Sequence, residues 1–152
     1  MDTQRVNEAE IARIFGSAPF VRHLGLEPVN VEPGLCESRI LLDDHHRQQD
    51  GFVHAGVQAS MADHTAGAAA ATLIGDDRLV LTAEFKVNLL RAAAGRYLRC
   101  RAAVLKPGSA LTVVESEVFS GDDEGHERLV AKATVTLAVI DKARYASPEA
   151  TV

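Results

Sequence analysis

The chain has 152 residues, 47% of them apolar and 24% charged, which suits one ordinary globular domain and leaves too little length for two cores. A net charge of -5, with no basic block long enough to follow a phosphate backbone, argues against nucleic acid as a partner. The opening MDTQRVNEAE lacks the basic and then apolar segments of a signal peptide, and no charge-free run reaches membrane-spanning length; the expected setting is the cytoplasm, with no membrane partner.

Residues 7–15 carry Ala9, Ile11, Ala12, Ile14 and Phe15 at helical spacing, and Gly16 follows as a stop signal, so a short amphipathic helix is expected there. Two extended runs, 24–31 and 35–42, flank Glu32-Pro33-Gly34 and read as a hairpin, because Pro presets its own backbone angle and Gly accepts positive ones. After the polar segment DDHHRQQDGF comes HAGVQASMADHTAGAAAATL, which predicts a helix over 55–73 that ends near Gly75. That helix is apolar on every side, so burial all round is expected, and its small side chains let a sheet approach closely.

Four runs with strand character follow, at 78–89, 96–106, 110–119 and 127–140, with turns at Pro107-Gly108 and Gly121-Asp122. Alternation in LTVVESEVF and YLRCRAAVL predicts antiparallel strands with one wet face. Residues 1–140 read as one domain, with the first helix and its lead-in over 1–20, and 141–152 read as a flexible tail. The order lacks βαβ alternation, and only one helix is long enough to cover the strands. The economical solution is an α+β fold in which a curved antiparallel sheet wraps that helix. One helix covers one face only, which makes oligomerisation a plausible way to bury the rest.

Asp63 sits in the middle of the apolar helix, where a charge is costly without a partner or a chemical task. Its same-face neighbours, Ala59, Ser60, Ala66 and Gly67, are all small and leave a slot beside the carboxylate. The plainer alternative is an acid satisfied by Ser60, Thr65 or an Arg from another element. His54 lies nine residues away, half a turn out of phase, so the two cannot pair on one helix. A carbonyl brought against the helix N-terminus would meet unpaired N–H donors, the geometry that acyl transfer needs, and a nearby carboxylate can attack it or activate a water.

These residues carry a resemblance. GFVHAGVQASMAD resembles the G-x-x-H-G-G-x-x-x-x-x-x-D signature of hotdog-fold acyl-CoA thioesterases of the phenylacetic-acid-degradation (PaaI-like) type. FKVNLLRAA is similar to the strand that follows the central helix in that family, and LKPGSALTVVESEV to its K-x-G turn and next strand. The resemblance implies a hotdog fold, a homodimer joined through its sheets and often paired into a tetramer, and hydrolysis of acyl-CoA thioesters at the dimer interface with no metal or other cofactor. By the same resemblance, Asp63 matches the catalytic acid of one subunit, and His54, Ala55 and Gly56 match a His-Gly-Gly whose first Gly N–H polarises the carbonyl from the other subunit; the Ala55 and Gly56 N–H groups are the expected oxyanion donors, with His54 and Gln48 orienting the site. Gln48 falls where many members have an Asn, and Thr82 near a Ser or Thr that orients the attacking water. Lys106, Ser109 and Arg91 become candidates for the CoA phosphates. Ala55 departs from Gly and resists positive backbone angles, and Gln48 is one methylene longer than Asn.

Other features have simpler readings. Asp43 to His46 invites a metal site, but adjacent residues of an extended segment point apart, and a solvated loop is the simpler reading. His64 and Asp63 are adjacent on a helix and do not face each other, so packing or a hydrogen bond accounts for His64. Arg99 and Arg101 read as a wet strand face, Glu84 as an outward strand residue, 122–124 as a solvated turn, and Cys36 and Cys100 as small core residues or a buried thiol pair. Two further functions fit such a fold: an acyl-CoA binding domain without turnover, and a hydratase or dehydratase that would pair a His with an acid.

Overall fold

The computed structural model describes residues 6–145. Helix α1, Glu8–Gly16, starts on an Asn7 side chain that accepts from the Glu10 N–H at 3.1 Å. A second helix, α2 at Pro19–Leu24, has Pro at its first position and ends on Gly25 at φ 67°, a left-handed cap that suits glycine. The first strand therefore starts later than its apolar pattern suggests. β1 is Glu27–Glu32 and pairs with β2, Leu35–Leu41, as the expected hairpin.

The segment between β2 and the long helix is more ordered than a solvated loop. Asp44–His46 form one 3-10 turn, and His46 is buried, its Nδ1 accepting from the Asp43 N–H and its Nε2 lying 2.8 Å from the Leu24 carbonyl. With both ring nitrogens engaged, His46 ties this segment to the end of α2.

Helix α3, Ala55–Ala71, is the central element, and β3 (Arg78–Leu89), β4 (Tyr97–Lys106), β5 (Leu111–Gly121) and β6 (Glu127–Asp141) follow it. All six strands form one antiparallel sheet in the order β1-β2-β4-β5-β6-β3. The chain crosses along α3 between β2 and β3, so β3 lands on the far edge and the hairpin on the near one. Small residues let helix and sheet approach: Ala62, Ala66 and Ala69 on α3 and Ala102, Ala131 and Ala133 on the strands are buried. The polar atoms under the helix are paired, Ser38 Oγ with Thr65 Oγ1 at 2.6 Å and Ser116 Oγ donating to the Ala62 carbonyl at 2.8 Å. A curved antiparallel sheet around one long helix is the hotdog fold, as expected from the sequence.

Cys36 and Cys100 are both buried and free, and burial pushes both thiols up to about 12. On the outer face, Arg99 is held by Glu37 at 3.1 Å and Glu127 at 2.7 Å, and Glu84 accepts from Thr136 Oγ1. Lys142–Tyr145 form a 3-10 turn, and the rest of the expected tail, 146–152, lies outside the described residues. Among the described residues no helix is long and apolar enough to cross a membrane.

Candidate active site

Asp63 emerges from α3 on its half-buried side, facing β3. Thr82 Oγ1 donates to Asp63 Oδ1 at 2.7 Å, which orients the carboxylate and leaves Oδ2 without a protein donor among the described residues. The local partners expected for the acid do not meet it. Thr65 is two positions along, about 200° round the helix, and bonds to Ser38 and the Met61 carbonyl.

Beside the carboxylate runs a groove of about 240 Å³, bounded by Asp63, His64 and Gly67 of α3, Val80 and Leu81 of β3, and Ile14 of α1. A Cβ placed on Gly67 would meet nothing within 4 Å, so the slot anticipated from small neighbours is present. His64 turns away from the acid: its Nε2 lies 3.1 Å from the Ile14 carbonyl and its ring meets Phe15 edge-on at 5.0 Å. Burial lowers the His64 pKa, which favours the neutral ring donating from Nε2.

The other group of expected residues gathers at the N-terminus of α3. His54 is the N-cap, extended at φ -60° and ψ 136°, and its Nδ1 accepts from the Gly56 N–H at 2.8 Å. The Val57 N–H donates to the His54 carbonyl at 3.0 Å. Gly56 is thus already engaged, contrary to a donor role for its N–H, and the exposed Ala55 N–H is the one in this turn that meets no acceptor among the described residues. No described non-glycine residue has a positive φ, so Ala fits this position without strain. Gln48 closes the preceding turn: its backbone exchanges bonds with Gly51 and Phe52, and its side-chain oxygen accepts from the Asp50 N–H.

One chain does not bring these two groups together. Eight residues of helix separate Ala55 from Asp63, a rise of about 12 Å. The candidate phosphate ligands divide in the same way. Ser109 lies by the start of β3, its carbonyl accepting from Arg78 Nη2 at 3.0 Å, in the turn that also holds the exposed Lys106. Arg91 lies past the end of β3, donating to the Leu129 carbonyl at 2.9 Å, and Val53, just before α3, donates to Ala93 next to it. The length of β3, roughly 35–40 Å at about 3.3 Å per residue, separates the two ends.

The family profile of the thioesterase superfamily matches residues 50–127, the stretch that holds α3, Asp63 and Thr82. A thioesterase family protein from Silicibacter pomeroyi is 36% identical and superposes with a TM-score of 0.82, over 86% of this chain and 98% of that one. A conserved protein from Pseudomonas aeruginosa is 37% identical with a TM-score of 0.74, over 81% and 94%. Among curated proteins, the 1,4-dihydroxy-2-naphthoyl-CoA hydrolase of Listeria monocytogenes is 29% identical over 119 residues, 78% of this chain and 94% of that protein. With an oriented acid on the central helix, a free N–H at that helix's start, and this family match across both, the chain belongs to the thioesterase superfamily and is a thioester hydrolase.

Proposed function

We propose that the protein is an acyl-CoA thioesterase of the PaaI-like type whose active site is assembled from two copies of the chain. The observation that carries this reading is Asp63, anchored through one oxygen by Thr82 and open through the other, beside a groove walled in part by Ile14, Val80, Leu81 and Leu137. Its carboxylate acts on the thioester carbonyl carbon, either directly or by taking a proton from a water that attacks. The developing oxyanion is stabilised by the Ala55 N–H at the positive end of α3, with His54 holding that first turn and Gln48 shaping the loop before it. The C–S bond then breaks and CoA leaves once its sulfur gains a proton; attack by water gives the carboxylic acid in that step, whereas direct attack leaves an acyl–Asp63 anhydride that a water then hydrolyses to the acid and the free carboxylate.

The case for two copies rests on β3. It is an edge strand of 12 residues with one row of unpaired backbone groups, and it exposes Leu81, Phe85 and Leu89. Antiparallel pairing with the same strand of a second copy would set the partner's helix N-terminus and the residue after its β3 beside Asp63 and the Lys106 turn of the first. Such pairing joins the two halves that one chain keeps apart, and gathers Lys106, Ser109 and Arg91 around one leaving group. The CoA in the Listeria relative's name supports CoA as the thiol.

The hydratase alternative needs a His paired with the acid, whereas Asp63 is met by Thr82 and His64 is bound to Ile14. The deciding experiment follows thiol release from a panel of acyl-CoA thioesters by wild type and Asp63→Asn, both shown to be folded. Turnover by wild type, lost in the variant, is the expected result; CoA-ester binding without turnover by either protein would make the domain a binder.

A further inference from the structure

The stretch that matches the family begins at residue 50, yet the groove beside Asp63 has a wall from outside it, Ile14 of α1. That wall is fastened to the catalytic helix. The Ile14 carbonyl lies 3.1 Å from His64 Nε2, and the next residue, Phe15, is buried with its ring against the same imidazole. Ile14 is itself only half-buried, so its side chain borders the groove rather than filling the core. The opposite walls, Val80, Leu81 and Leu137, are also apolar, leaving Asp63 as the one carboxylate in the lining.

At about 240 Å³ the groove falls below the roughly 300–1,000 Å³ of sites that hold a whole ligand. It suits the acyl part of a thioester and not the CoA. Ile14 is an apolar wall of that groove, on the same stretch of α3 as the acid, where an acyl group beside Asp63 would meet it.

We infer that Ile14 is a specificity-determining residue, in which α1, latched by His64, closes the acyl groove and limits the size of the acyl group that reaches Asp63. The inference rests on the proposed role of the Asp63 groove. It makes α1 part of the substrate site, although the chemistry belongs to the helix and sheet.

The test is kcat/KM across acyl-CoA esters from acetyl to dodecanoyl, with benzoyl and phenylacetyl, for wild type, Ile14→Ala, Ile14→Phe and an outward-facing control, Glu8→Gln. Ile14→Ala is expected to raise the ratio of large to small acyl groups by about tenfold or more and Ile14→Phe to lower it, since single methylenes in apolar pockets discriminate by roughly 10–200-fold. Shifts of opposite sign are not what a merely structural residue would give. If Ile14→Phe does not fold, Ile14→Val takes its place, with a smaller shift in the direction of Ile14→Ala. Profiles that keep the wild-type shape, or fall uniformly, would overturn the inference while leaving the Asp63 reading intact. Wild-type turnover by Asp63→Asn would overturn that reading instead.

Discussion

Thr82 holds one oxygen of Asp63 and leaves the other free, so removing its hydroxyl should loosen the acid without removing it. Asp63→Asn is expected to lower kcat by about a hundredfold to ten-thousandfold. Thr82→Val should cost less, about tenfold to a hundredfold, through misplacement of the carboxylate. Equal losses in the two variants would deny Thr82 a purely orienting role. Ala55→Pro is a sharper substitution: Pro at the first helical position suits the helix, and the extended His54 before it suits a following Pro, yet the N–H is gone. A drop of about a hundredfold to a thousandfold with an unchanged melting temperature is expected if that N–H is the oxyanion donor. Asp63 was legible in the sequence because a lone carboxylate in an apolar helix demands a reason. Its immediate partner was not legible from helix spacing, because Thr82 lies on a strand 19 positions on; the family resemblance alone pointed to Thr82, and for orienting a water rather than for holding the acid.

At the scale of elements, the buried His64 that latches α1 to α3 gives a pH dependence. Burial lowers its folded pKa, so below the ordinary imidazole value of about 6.5 the unfolded chain binds the proton more readily, and stability falls as pH falls through that range. The melting temperature of His64→Gln should therefore decline less than that of wild type between pH 7 and 5; parallel declines would contradict it. The contact between α3 and the sheet gives a second expectation. Ala66 is fully buried there, and Ala66→Leu should cost about 1–3 kcal/mol by overpacking, visible as a fall of several degrees in thermal melts. Helix α3 and the last four strands were readable because small-residue and alternating patterns hold over ten or more positions. Helix α2 was not: six residues are too few for a period, and only Pro19 and Gly25 marked its ends. Leu24, taken for the start of a strand, closes that helix.

For the whole molecule, sequence patterns led to a sheet around a helix, but the crossover that puts β3 on the far edge became visible only in the strand pairing. That placement leaves a 12-residue edge strand that exposes Leu81, Phe85 and Leu89, the surface through which the proposed two-copy site would form. Phe85→Lys, placing a charge on the exposed edge, should shift the protein toward monomer in sedimentation and lower activity with it. Monomer that keeps full activity would break the link between assembly and catalysis. The measurement that tests the account most directly mixes subunits of Asp63→Asn and Ala55→Pro, each nearly inactive alone, and follows thiol release after exchange. If each site takes its acid from one copy and its N–H from the other, half the dimers are mixed and each carries one intact site, so about a quarter of wild-type activity should return. No recovery, with subunit exchange verified, would contradict a site shared between copies.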